Sequence, residues 1–222
     1  MRTIVALGGG QTTDPIRDYL VGLTGKERPK LLYLNTASAH DPRQTVRALQ
    51  TLSRVAAVEM VEFFPWPPED LRGLTLAQDI VFVGGGNTAN MLALWRVHGF
   101  DEILREAHDR GVVMSGSSAG MLCWYEAGVT DSFGPQLEGM RDGVGFLPGS
   151  ACPHYDGEGE RRPVYTRLVS EEGLPPGLAA DDLVALRFDG TELAEVVSSR
   201  EGARAHRVTA DGEEPIEPRV LG

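Results

Sequence analysis

A serine flanked by glycines is the first feature of this sequence that can do chemistry. Residues 111–122 begin as an apolar run typical of a buried strand and bend at Gly116-Ser117-Ser118-Ala119-Gly120. The apolar residues 122–125 then predict the buried face of a helix. In a G-x-S-x-G motif a strand turns sharply into a helix and lifts the central side chain out of the sheet, because only small neighbours permit so tight a bend. The motif predicts Ser118 as a nucleophile, although glycine and serine also build ordinary strand-to-helix turns.

A serine nucleophile needs a general base, because its hydroxyl reacts slowly at neutral pH. His154 is the natural candidate, since it lies in a loop between Pro153 and Tyr155, after the serine motif. His98 and His108 fall in helical patterns instead. The histidine and the serine motif together predict a nucleophile and base pair, whereas a loop histidine alone is usually a surface group.

The base must be oriented by a carboxylate, and the sequence offers several. The candidates are Asp131, Asp156, Asp181, Asp182 and Glu192. Asp182 directly precedes an apolar run and is therefore expected at the edge of a sheet. Asp131 is nearer to the serine in sequence and lies in a polar turn. Each of them is also explained as a solvated turn or cap residue, and spacing alone does not choose between them.

Backbone donors and arginines complete the predicted site. An oxyanion hole needs two positioned N–H groups, and those of Ala119 and Gly86 are the expected pair. Gly86 ends a glycine run that follows an apolar strand. Arg161 and Arg162 lie close to His154 in sequence and are candidates for binding a substrate carboxylate, the alternative being a solvated helix flank.

Strands and helices alternate through the first half of the chain. Strands are predicted at 3–7, 30–34, 59–63, 80–83 and before Ser118, and helices at 14–23, 43–55, from about Met91, and at 100–110. This order predicts one α/β domain over residues 1–222, with a mostly parallel sheet covered by helices on both faces. A loop-rich segment and a helix at 163–172 lead to a short antiparallel C-terminal extension at 183–188, 193–197 and 205–208.

Composition limits the classes of partner. The chain has 222 residues and a formal net charge of -11, which opposes nonspecific binding to nucleic acid or to an anionic membrane. Its two cysteines show no metal-ligand spacing, and Gly8-Gly9-Gly10 lacks the spacing of nucleotide-binding motifs. We expect a cytoplasmic protein with a small peptide substrate and without cofactor or metal. A homodimer is compatible with this interpretation.

Three segments together resemble a known family. Residues 83–88 (VGGGNT), 116–120 (GSSAG) and 147–156 (LPGSACPHYD) are similar to the dipeptidase E and cyanophycinase family of serine peptidases. The resemblance covers most of the chain and implies a fold like that of class I glutamine amidotransferases. It implies Ser118 as nucleophile and His154 as base. It implies Gly86 with Ala119 as oxyanion donors.

The resemblance also bears on the acid and on the substrate. It places an acidic residue at the start of a late strand, where Asp182 stands, and we rank Asp182 ahead of Asp131. The implied activity is cleavage of dipeptides that begin with aspartate, with cyanophycinase-like cleavage of β-aspartyl links as an alternative. A noncatalytic small-molecule-binding protein of the same fold is a further alternative. Glutamine amidotransferase chemistry is disfavoured, because the motif carries serine rather than cysteine.

Overall fold

The computed structural model describes residues 2–222, which form two β-sheets and seven α-helices. The strands are β1 (Thr3–Leu7), β2 (Lys30–Leu34), β3 (Ala57–Met60), β4 (Ile80–Val83), β5 (Val113–Ser117), β6 (Tyr125–Thr130), β7 (Glu138–Met140), β8 (Leu147–Cys152), β9 (Gly177–Ala180), β10 (Val184–Asp189), β11 (Glu192–Ser198), β12 (Ala205–Thr209), β13 (Gly212–Ile216) and β14 (Arg219–Val220). The helices are α1 (Asp14–Gly22), α2 (Pro42–Leu52), α3 (Leu71–Leu76), α4 (Thr88–Val97), α5 (Phe100–Asp109), α6 (Ala119–Leu122) and α7 (Arg161–Ser170).

The larger sheet has eight strands in the order β14-β11-β10-β1-β5-β4-β2-β3. The strands from β1 to β3 in this order pair in parallel, and β10 joins β1 in the antiparallel sense. Alternate residues of β1 enter different apolar clusters, because successive side chains point to opposite faces of a sheet. Ile4 and Ala6 join the buried residues of α4 and α5, whereas Val5 and Leu7 join those of α1. The predicted α/β fold with helices on both faces of a mostly parallel sheet is confirmed.

Short helices cover this sheet, and local capping fixes where they start. Asp41 precedes α2 and accepts the N–H of Arg43 at 2.8 Å, and Asn87 precedes α4 and accepts the N–H of Asn90 at 2.8 Å. Pro42 supplies a first helical residue that needs no backbone acceptor. The longest helix has 11 residues. No helix in residues 2–222 has the length and hydrophobicity to cross a bilayer.

The second sheet has six strands in the order β13-β12-β9-β8-β6-β7, and of these only β12 was predicted. The segment expected to be a loop-rich rim contains β6, β7 and β8. These strands were missed because β7 has only three residues and β8 contains Pro148 and Gly149, which usually mark turns. The helix predicted for residues 122–125 ends at Leu122, and Tyr125 begins β6. A short apolar run that is buried on every side shows neither a helical nor a strand periodicity, so its type cannot be predicted from the pattern.

The C-terminal strands are antiparallel as predicted, but they do not form one separate extension. β10 and β11 belong to the larger sheet, whereas β12 and β13 belong to the second. Residues 181–183 carry the chain from β9 in the second sheet to β10 in the larger one. One apolar cluster contains side chains from both sheets, including Ile4 of β1 and Leu178 of β9.

A buried histidine on α5 makes the stability of this fold depend on pH. The His108 ring is 5 % exposed and stacks on Phe146 with the ring centroids 5.2 Å apart. Its Nδ1 atom is buried without a hydrogen-bond partner in residues 2–222. Burial, assisted by the positive charge of Arg2, lowers the pKa of His108 from 6.5 to about 4.

We expect acidification to destabilise the protein through His108. The unfolded chain binds a proton at this site below about pH 6.5 and the folded chain only below about pH 4, so stability is complete above pH 6.5 and is lost as the pH falls through that window. The loss from pH 7 to pH 5 should be about 2 kcal/mol. Urea unfolding at both pH values should show this loss in the wild type, and His108→Leu should reduce it by that amount. An equal loss in both proteins would contradict the assignment.

Candidate active site

Ser118 lies at the bend between β5 and α6. Its backbone has φ 59° and ψ -111°, a conformation that costs a non-glycine residue about 1–3 kcal/mol. A Cβ atom on Gly116 would lie 2.6 Å from the carbonyl oxygen of Val83, and one on Gly120 would lie 2.2 Å from the same oxygen. The two flanking positions must therefore be glycine, because β4 passes directly beneath the bend.

His154 and Asp182 meet because the strands before them are neighbours. β8 and β9 pair in parallel with Cys152 opposite Ala179, so the residues that follow them leave the same edge of the second sheet. His154 Nδ1 lies 2.7 Å from Asp182 Oδ1, which is a hydrogen bond. Both side chains are partly buried, at 19 % and 28 % exposed.

The carboxyl end of β1 holds all three of these segments through its backbone. The carbonyl of Leu7 accepts the N–H of Ser118 at 3.1 Å, and the carbonyl of Gly8 accepts the N–H of His154 at 3.0 Å. The carbonyl of Gly9 accepts the N–H of Leu183, the residue after Asp182, at 3.0 Å. Three consecutive carbonyl groups thus position the three predicted catalytic residues.

Backbone strain is concentrated at these same points. Ser118, His154 and Leu183 have φ values of 59°, 55° and 69°, in the region that side chains disfavour. Such conformations persist only where surrounding contacts enforce them. The hydrogen bonds to the end of β1 supply those contacts, since each of the three strained residues donates its own N–H there.

Asp156 binds the backbone of Asp182 rather than the ring of His154. Its Oδ1 atom accepts the N–H of Asp182 at 2.9 Å, and its Oδ2 atom pairs with Arg200. Burial raises the pKa of Asp156, but the hydrogen bonds from Arg200 and from the Asp182 amide outweigh it and lower the pKa overall. The carboxylate stays charged and anchors the segment that carries Asp182.

The remaining candidate acids make other contacts. Asp131 is 60 % exposed on its side chain, and its Oδ1 atom lies 3.9 Å from Nη2 of Arg161. Asp181 accepts a backbone N–H at 2.8 Å. Glu192 begins β11 at the opposite end of the sheet, because its partner on β10 pairs with the first residue of β1. Of the five candidate acids, only Asp182 forms a hydrogen bond with the His154 ring in the described residues 2–222.

Arg161 and Arg162 do not face Ser118. Arg161 is buried, and it donates from Nε to Glu158 Oε2 at 2.8 Å and from Nη1 to the carbonyl of Val129 at 3.1 Å. Arg162 pairs with Glu213 on β13. The expectation that they bind substrate beside Ser118 does not fit these contacts. Neither arginine lines the cavity that contains Ser118 and His154, although both are close to His154 in sequence.

Ser118 and His154 line one open cavity of about 380 Å³. Its other lining residues are Gly10, Gln11, Thr12, Tyr33, Gln44, Arg47, Ala48, Thr51, Leu52, Phe82, Gly84, Gly85 and Ser117. None of these is an Asp or a Glu. Burial raises the pKa of Tyr33 to about 12, so its phenol is neutral at physiological pH. Residues 2–222 contain no cluster of three or more His, Cys, Asp or Glu side chains suited to holding a metal ion.

The glycine loop after β4 lies against the serine. A Cβ atom on Gly85 would be 3.2 Å from Cβ and 3.6 Å from Oγ of Ser118. Gly86 has φ 139° and packs against the carbonyl of Ala37. Within residues 2–222, the N–H groups of Gly86 and Ala119 donate to no protein acceptor. Neither amide is therefore committed to a contact within the described residues.

Sequence reasoning missed three residues of this site, Gly8, Gly9 and Arg47. Gly8 and Gly9 were considered only for nucleotide binding, although a glycine run after a buried strand also signals close packing against a neighbouring segment. Arg47 lies within the amphipathic pattern of a helix, where an arginine gives no signal of its own. Its place in the cavity depends on tertiary packing, which brings one face of α2 beside Ser118 and His154.

Comparison with solved structures identifies the fold of this chain, and comparison with known sequences identifies its family. A solved structure of a peptidase from an acI-B1 actinobacterium matches with a TM-score of 0.73 and 15% identity, covering 97% of this chain and 94% of that one. A protein of Listeria monocytogenes EGD-e assigned as a peptidase E matches with a TM-score of 0.64 and 17% identity, covering 90% of this chain and 98% of that one. The fold is thus that of peptidase E-like proteins.

Sequence comparison is more specific. Residues 4–196 match peptidase family S51. An uncharacterized peptidase of Bacillus subtilis (strain 168), YgaJ, is 45% identical over 216 residues, which cover 94% of this chain and 92% of the relative. The chain belongs to peptidase family S51 and is a peptidase. The resemblance to the dipeptidase E family is confirmed.

We expect Gly9→Ala to impair peptidase activity while leaving the fold intact. The added Cβ atom would lie 2.2 Å from Cε1 and Nδ1 of His154 and 2.3 Å from Asp182 Oδ1, so the ring must move. A displacement of about 1 Å in such a site costs about a hundredfold in rate. Dipeptide hydrolysis and thermal unfolding should be measured together. Gly22→Ala is the control, because a Cβ atom there has no neighbour within 4 Å. Unchanged activity in Gly9→Ala would contradict this packing.

Proposed function

We propose that the protein is a serine-type dipeptidase that uses Ser118, His154 and Asp182. The observation that carries this proposal is the end of β1, where consecutive carbonyl groups hold the serine, the histidine and the residue after the aspartate. A protein that only binds a ligand has no need of a strained serine that shares a cavity with a carboxylate-bound histidine. The arrangement supports acyl transfer through a covalent intermediate.

The proposed chemistry follows from the hydrogen bond at Nδ1. Asp182 holds the imidazole with its proton on Nδ1, which leaves Nε2 free to accept a proton. Ser118 Oγ attacks the scissile carbonyl carbon and transfers its proton to Nε2. The imidazolium, stabilised by Asp182, gives this proton to the leaving amine as the peptide bond breaks. Water then gives a proton to His154 Nε2 and attacks the carbonyl carbon of the acyl-serine. The imidazolium returns this proton to Ser118 Oγ as the ester bond breaks and the acid is released.

The oxyanion of the tetrahedral intermediate is assigned to two amides. The Ala119 N–H starts α6 directly after the nucleophile, and the Gly86 N–H follows Gly85, which packs against Ser118. Neither N–H is used inside the protein. Donors fixed before the reaction stabilise the developing charge without reorganising, which makes such holes effective.

The cavity supports a small, acidic substrate. Its volume of about 380 Å³ is near the lower end of ligand sites, which favours dipeptides over long chains. No Asp or Glu side chain lines it, whereas the cation Arg47 does, so the lining itself favours a substrate carboxylate. We therefore propose dipeptides that begin with aspartate as the preferred substrates.

We expect Ser118→Ala and His154→Ala each to remove most turnover, and the double variant to be scarcely worse than either. Groups that act as one unit lose their effect together, so the losses in log kcat should not add. Steady-state hydrolysis of Asp-X dipeptides by the three variants measures this, with circular dichroism to verify folding. A fluorophosphonate should label the wild type at Ser118. Additive losses, or no label in folded protein, would refute the mechanism.

Replacing the acids separately tests which one orients the base. We expect Asp182→Asn to lower kcat by about four orders of magnitude, because the amide favours the wrong tautomer of His154 and leaves the imidazolium unstabilised. Asp131→Asn should retain activity, since Asp131 is exposed and neighbours Arg161 instead. Values of kcat and KM on one dipeptide provide the readout. The reverse result would assign the role to Asp131 and leave the serine mechanism standing.

A further inference from the structure

Arg47 on α2 is a cation that has no partner inside the protein. Its guanidinium has no acceptor in residues 2–222, and the side-chain contact at this residue is one that its backbone carbonyl accepts from Thr51 Oγ1 at 3.0 Å. One turn earlier on the same helix, Arg43 pairs with Asp41 at 2.9 Å. The two arginines therefore differ in role although both are exposed on α2.

The surroundings of Arg47 favour an anion. It lines the cavity that contains Ser118 and His154, and it is the only Lys, Arg, Asp or Glu among the lining residues. A concave site with one uncompensated positive charge concentrates negative groups near it. The planar guanidinium matches a carboxylate through two parallel hydrogen bonds, which strengthens the contact and fixes its orientation.

We infer that Arg47 binds a carboxylate of the substrate in the cavity beside Ser118 and thereby determines specificity. This inference rests on the proposed peptidase function and deepens it. A dipeptide that begins with aspartate offers two such groups, the side-chain carboxylate of its first residue and its C-terminal carboxylate. Both present the same chemistry to Arg47, so the substrates used in the test must separate them.

The test compares Arg47→Met with the wild type and with Arg43→Met, which removes the same charge from the same helix outside the cavity. Each full-length protein is assayed on Asp-Ala, Asn-Ala, Asp-Ala amide and Asn-Ala amide. We expect Arg47→Met to lower kcat/KM by about 30- to 150-fold on Asp-Ala, the range of a charge-assisted contact. Arg43→Met should stay close to the wild type on all four. Arg47→Lys should recover part of the loss.

The pattern of losses identifies the carboxylate. Loss on both Asp substrates but on neither Asn substrate assigns the side chain of the first residue. Loss on both free dipeptides but on neither amide assigns the C-terminus. Both patterns support the inference. Equal loss on all four substrates, or loss on none, overturns it, because Asn-Ala amide has no carboxylate for Arg47 to bind.

A binding measurement separates failure of this inference from failure of the proposed function. Calorimetry with Asp-Ala is performed on Ser118→Ala and on Ser118→Ala combined with Arg47→Met, and neither protein needs to turn over. We expect binding at least 30-fold weaker without Arg47. Equal binding, or no binding to either protein, overturns the inference. Absence of turnover in the wild type, by contrast, refutes the peptidase mechanism whatever Arg47 binds.

Discussion

The backbone at the carboxyl end of β1 is the constraint on which the rest of the site depends. Three successive carbonyl groups, those of Leu7, Gly8 and Gly9, accept N–H groups from Ser118, His154 and Leu183. These donors come from segments far apart in the chain. Because each donor has a positive φ, the hydrogen bonds also keep the three segments in conformations that they would otherwise leave. These three hydrogen bonds therefore position the segments and also maintain their strained backbone conformations.

This constraint explains why the chain needs two sheets. The larger sheet supplies β1 and the serine bend, whereas the second sheet supplies the parallel ends of β8 and β9, from which His154 and Asp182 emerge. The strand ends of the two sheets meet at Gly8 and Gly9, which follow β1. Gly9 must lack a side chain there, because the His154 ring occupies the space that a Cβ atom would fill. A rigid scaffold thus sets a geometry that loops alone would not hold.

The sequence was sufficient where one segment specifies its own structure. Uninterrupted apolar runs predicted β1, β2 and β4 to the residue, and the glycines around Ser118 predicted its bend. It was insufficient where structure depends on distant partners. β7 and β8 are short or interrupted by proline and glycine, so pairing rather than propensity makes them strands. The contacts of Arg161 depend on distant partners in the same way, since the carbonyl of Val129 and the carboxylate of Glu158 bind it inside the protein.

The arginines of this protein differ in whether a partner inside the protein already binds them. A chain with a net charge of -11 offers most of its cations a carboxylate nearby, and an arginine so paired is a poor ligand for substrate. Arg161 and Arg162 are neutralised in this way, whereas the Arg47 guanidinium has no acceptor in the described residues 2–222. The unused donors that we propose for substrate binding are the N–H groups of Gly86 and Ala119 and the guanidinium of Arg47. The substrate that fits this proposal carries negative charge in a carboxylate and, during reaction, at the carbonyl oxygen, because these are the groups that such donors stabilise.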